Sequence, residues 1–179
     1  YWRQAMDVWL HPILSQHVPP RILQAGSVRR TTAPESDFVD DDNGRVAHLL
    51  MQAGVDVVIG GHGQQEGLAS HWEMWSLARG GWSPLEALQA ATIMPARHLG
   101  FDQDIGTLEV GKLADLQVLS SNPLEDLQRT VDIEFVMKHG RLYEGATLDE
   151  VWPRQRPLPT QWWWRVEPPD AAGERIGGR

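Results

Sequence analysis

Apolar and polar positions divide the chain in two: spacing near 3.6 dominates up to about residue 100, and spacing near 2 follows Gly106. Trp2, Met6 and Trp9 fall at i, i+4 and i+7, with Ala5 and Leu10 beside them, which predicts a helix over 2–10. His11-Pro12 is expected to end it, because a residue before proline is pushed out of the α region. Val18-Pro19-Pro20 reads as a rigid extended connector, and Ile22-Leu23 as the start of a short strand. From Ala25 to Asn43 the composition turns polar, which predicts a long surface loop.

The clearest unit comes next. Asp42-Asn43 predicts an acidic cap for a helix over about 44–53, with Val46, Leu49, Leu50 and Ala53 inward and Gly54 closing it. Val55-Asp56-Val57-Val58-Ile59 is nearly all β-branched and predicts a strand over about 55–60, of the parallel kind covered on both faces. Gly60-Gly61-His62-Gly63 reads as a tight loop, followed by helices over about 68–79 and 84–94. The second opens on the capping box Ser83-Pro84-Leu85-Glu86, with Leu85 and Leu88 inward. Pro95 opens another short helix. Helix, buried strand, glycine loop, helix is half of a βα repeat, and such sheets place chemistry at the carboxyl ends of their strands. Later, alternation over 114–118 and 131–137, with a two-residue turn at His139-Gly140, predicts a small β unit. The implied division is 1–100 as α/β, 101–150 as β, and 151–179 as a tail rich in Pro and Trp.

Composition narrows the class. The chain is 41% hydrophobic and 22% charged, which fits a globular protein. Its 179 residues fall short of the ~250 of an intact eightfold β/α barrel. The opening Tyr1-Trp2-Arg3-Gln4 has the character of mid-helix, so Tyr1 is expected to be a truncation point. A net charge of −8 repels phosphate backbones and argues against a nucleic-acid partner. No apolar run approaches the ~20 residues of a membrane span. Without cysteine there is neither a disulfide framework nor a thiolate zinc site.

Few residues are placed to carry chemistry. His62 lies between glycines at the end of the predicted buried strand, where an imidazole could serve as metal ligand or acid/base. A loop histidine that packs against the next helix would have the same local sequence. His71 and Glu73 sit at i, i+2 on the following helix and so face different ways, unlike the two histidines of H-E-x-x-H. Trp72 and Trp75, with Trp82 just beyond, read as core. Trp162-Trp163-Trp164 cannot all face one core and are expected to wrap against a neighbouring surface. There is no H-x-H pair, no G-x-S-x-G, and Gly111-Lys112 lacks the context of a phosphate loop.

From about Val55 to Glu144 the chain resembles the C-terminal region of the amidohydrolase superfamily. Gly60-Gly61-His62 is similar to the family's last-strand Gly-Thr-Asp loop, and His71-Trp72-Glu73 to its H-x-E helix. Ala91-Thr92 to Leu99-Gly100 matches A-T-x-x-x-A-x-x-L-G. Gly106 to Asp115 matches the G-x-x-x-G-K-x-A-D hairpin, and Val136 to Arg141 the terminal V-x-x-x-G-R strand. The G-x-H-G-Q and H-W-E-x-W variants resemble a branch that often carries an N-terminal TolB-like β-propeller.

The resemblance implies the C-terminal portion of a (β/α)8 TIM-barrel hydrolase of C–N bonds, amide or cyclic amide, plus strands of a small composite β-sandwich. It also implies a divalent metal, zinc foremost, that activates the attacking water. The family's last-strand Asp corresponds to His62, which brings no negative charge; Glu66 or Glu73 could stand in for it, with His71 and Glu73 in supporting or substrate-orienting roles. The family's other ligands lie upstream, and one histidine is fewer than the three protein ligands of a catalytic zinc. This polypeptide is therefore expected to be a fragment, inactive alone, whose partners are a small-molecule or peptide-like substrate and the missing N-terminal part. Bare barrel edges would favour homo-oligomers. The competing reading is a non-catalytic binding or assembly module with a degenerate metal site.

Overall fold

The computed structural model describes residues 2–27, 32–61, 65 and 67–165. Among the described residues seven α-helices precede one antiparallel sheet: α1 (Trp2–Ala5), α2 (Pro12–His17), α3 (Pro20–Ser27), α4 (Asp40–Gln52), α5 (Ala69–Arg79), α6 (Pro84–Ala90) and α7 (Ile93–His98). The strands are β1 (Leu116–Leu119), β2 (Ile133–Lys138), β3 (Arg141–Glu144) and β4 (Glu150–Trp152), hydrogen-bonded in that order.

Over residues 11–27 the structure differs from the pattern reading, and proline explains why. His11-Pro12 starts a helix: Pro12 occupies the first turn, and His11 Nδ1 accepts from the Leu14 amide at 3.4 Å. Pro20 opens α3 in the same way, so Ile22-Leu23 lies in a helix and Leu23 is buried there. A first-turn proline gives up only an amide that had no partner anyway. Two apolar neighbours are too few to separate the helical period from the strand period.

Helix α4 begins at Asp40, with Asp40, Asp41 and Asp42 all in its first turn, where the helix dipole favours negative charge. Its predicted inward face is bare: Val46, Leu49 and Leu50 are 56%, 61% and 47% exposed. Contact with α5 runs instead through Gly44 and Gly80. A Cβ on Gly44 would stand 2.7 Å from Ser76 O, and one on Gly80 would overlap the Gly44 backbone. Around this contact Trp82 Nε1 donates to Gly44 O at 3.0 Å. Arg79 grips Asp41 through Nε and Nη2 at 2.7 and 3.2 Å.

Residues 55–60 run extended but enter no ladder with any described strand, in contrast to the covered parallel strand that their composition predicts. β-branched side chains hold the backbone extended, but a strand also needs a neighbour to bond. The Ile59 amide turns to Ala90 O at 3.1 Å, while Val55 and Val58 stay 48% and 38% exposed.

The core gathers on α5. Trp72, Met74 and Trp75 pack with Val8, Leu14, Leu23, Leu68, Ala87 and Leu127, and Trp2 meets Trp75 edge-on at 5.2 Å. Trp72, Trp75 and Trp82 are thus core side chains, as their spacing predicts. On α6 Ala87 and Ala90 are buried and Leu88 packs against the core, whereas Leu85, expected inward, is 55% exposed. The predicted 84–94 helix breaks after Ala90, and α7 restarts at Ile93.

The period-2 region forms the expected hairpin, with Lys138 opposite Arg141 across the His139-Gly140 turn. β4 was hidden in the sequence by its three-residue length and by Pro153 directly after it. In the tail, Trp163 and Trp164 donate through Nε1 to Gln16 O at 3.2 and 2.5 Å. Arg21 lies over Trp162, which remains 59% exposed. The tryptophans therefore cover the junction of α2 and α3.

Candidate functional site

The carboxyl end of the 55–59 run meets the first turns of α5, and one side chain joins them. Glu73 Oε2 accepts from the Gly60 amide at 2.7 Å, and Oε1 accepts from the Gly61 amide at 3.0 Å. Charge-assisted bonds of this kind are about twice as strong as neutral ones. They satisfy two amides that have no strand partner. Gly61 is buried with φ of +62°, and a Cβ there would lie 2.9 Å from Ser70 Oγ. Only glycine lets the backbone turn so closely onto α5.

His62 and Glu66 lie outside the described residues. His71, two positions before Glu73, points the other way. It is 9% exposed, with Nδ1 2.9 Å from Thr130 Oγ1 and its ring tilted against Trp75 at 6.3 Å. Burial holds its pKa below the ordinary value of 6.5. Thr130 donates its hydroxyl proton to Leu127 O at 2.9 Å and accepts from Trp75 Nε1 at 3.1 Å. Leu127 O also accepts from Trp75 Nε1 at 2.9 Å, so His71, Thr130, Trp75 and Leu127 form one buried hydrogen-bonded cluster. His71 thus ties α5 to the turn at Leu127–Val131, and Glu73 ties α5 to the glycine loop. The structure does not bring the two together.

Thr130 and Gln65 were missed by sequence reasoning. Thr130 has no local signature, since His71 and Trp75 lie 59 and 55 positions away in sequence. Gln65 is only 2% exposed, and its Oε1 has no hydrogen-bond partner among the described residues. Also among the described residues, no three His, Asp or Glu side chains come close enough to hold a metal ion. The described donors alone therefore do not fit a divalent ion.

Comparison with known proteins now decides the family. The sequence model described as "Amidohydrolase family" matches residues 8–143. The chain belongs to the amidohydrolase family. Ochratoxinase from Aspergillus niger is 33% identical over 99 residues, covering 53% of this chain and 21% of that protein. Imidazolonepropionase from Symbiobacterium thermophilum is 54% identical over 41 residues, 23% of this chain and 10% of that protein. Among solved structures, a Xaa-Pro dipeptidase with methionine bound in its active site is 30% identical with a TM-score of 0.52, covering 58% of this chain and 25% of that one. Molinate hydrolase superposes with a TM-score of 0.55 over 72% of this chain and 35% of its own, at 22% identity, a likeness of fold. This amidohydrolase chain thus spans about a fifth of the ochratoxinase and a quarter of the dipeptidase.

Proposed function

We propose that the chain supplies the last strand and following helices of a (β/α)8 metal-dependent amidohydrolase, with its C-terminal strands contributing to a small composite sandwich. The whole protein hydrolyses C–N bonds in a small-molecule or peptide-like amide; the dipeptidase likeness favours the peptide-like class. One observation carries this reading. The apolar run 55–59 ends in two glycine amides held by Glu73, and His62 follows them directly. Strand-end loops of this kind are where barrel enzymes keep their reacting groups. His62 is this chain's ligand toward a divalent ion, zinc foremost, and the remaining ligands come from the rest of the protein. The G-x-H-G-Q variant favours the propeller-bearing branch of the family.

The test uses the whole protein, with metal content by mass spectrometry and turnover of X-Pro dipeptides and N-acyl amino acids. His62→Ala is expected to lower kcat/KM by about 10²-fold or more and to reduce bound metal. The 179-residue chain alone is expected to show no turnover. Unchanged metal and turnover in the variant would make His62 a structural residue, and no metal or turnover in the whole protein would leave the non-catalytic assembly module as the better account.

A further inference from the structure

We infer that Glu73 is a positioning residue: its carboxylate fixes the direction in which the backbone leaves the 55–59 run. The inference deepens the proposed function and rests on it for its catalytic consequence. Both oxygens are engaged, one on each of two consecutive amides. A carboxylate held this way is committed to backbone donors and is not the base that replaces the family's aspartate, an assignment the sequence leaves open between Glu66 and Glu73. What it supplies is geometry. Gly60 and Gly61 can neither rotate nor slide without breaking a charge-assisted bond, and Gly61 is already pressed against Ser70. The clamp needs this side chain in both charge and length. Glutamine offers one acceptor and sets an NH2 against the second amide. Aspartate is one methylene too short to reach from the same helical position.

Amide NMR of the 179-residue chain reads the clamp directly. The Gly60 and Gly61 amide protons are expected to exchange slowly. In Glu73→Gln their exchange accelerates about tenfold or more. Two amides exchanging at the rate of an open loop in the native chain would overturn the inference, even if neither variant folds. In the whole protein, Glu73→Gln and Glu73→Asp are expected to lower kcat by roughly 10–100-fold, the range typical of residues that orient a ligand, with KM within about twofold and metal retained. If His62→Ala is silent while the amides are protected from exchange, the catalytic reading falls and the clamp stands. If His62→Ala abolishes turnover while Glu73→Gln changes neither amides nor kcat, the clamp falls and the reading stands.

Discussion

The imidazole of His71, with Nδ1 2.9 Å from Thr130 Oγ1, is only 9% exposed, so an added proton would put a charge on a buried ring. Desolvation opposes that charge and lowers the folded-state pKa below the unfolded 6.5. A histidine depressed on folding gives its full stability above the unfolded value and loses it as pH falls below 6.5. Burial depresses His11 in the same direction, so wild type must be compared with a variant lacking only His71. Urea denaturation at pH 7.5 and pH 5.5 should show wild type losing more stability between the two than His71→Asn. At pH 7.5 His71→Leu should cost about 1–3 kcal/mol, because Thr130 loses one partner in a buried network.

At the scale of elements, the α4–α5 packing depends on two hydrogen atoms. Gly80 closes α5 at φ of −77°, an ordinary angle, so alanine there suffers no backbone strain. Its methyl would instead overlap the Gly44 backbone, which has no side-chain rotamer to yield. Gly80→Ala should therefore force α4 off α5 and cost at least the roughly 1–3 kcal/mol of ordinary overpacking. Thermal melts, with Trp82 fluorescence reporting the loss of its bond to Gly44 O, measure this. An alanine at Gly54, where a Cβ meets nothing within 4 Å, is the control for positive φ without crowding. Such contacts show what a sequence does and does not make legible. The capping box at Ser83–Glu86 and the His139-Gly140 turn could be read because their partners lie within three residues. The Trp72–Trp75 face could be read because helical period alone aims it inward. The Gly44–Gly80 seam could not, since glycine has no place in a hydrophobic pattern. Glu73 was visible as a charge near His62, but its bond to two amides became apparent only once those amides were seen to lack strand partners.

For the whole molecule the informative mismatch is between apolar pattern and burial. Val46, Leu49 and Leu50 on α4, and Val55 and Val58 beyond it, are spaced and chosen as core residues, yet all are at least 38% exposed. An exposed apolar helix face beside an unladdered extended run invites association. Size-exclusion chromatography with light scattering should show the chain running above its 20.1 kDa monomer mass. Leu49→Glu with Val58→Thr should shift the population toward monomer without loss of helical content. A monomer at all concentrations would mean the exposed face is tolerated in water.

The carboxylate at the end of the 55–59 run also limits how far any sheet built on that run can extend. A neighbouring strand bonding along it would find donors only from Asp56 to Val58, because Val55 has given its amide to Leu50 O, and Ile59, Gly60 and Gly61 have given theirs to Ala90 O and Glu73. Glu73 thus acts as a terminator: main-chain zippering along the run cannot pass through the two glycines whose donors it holds.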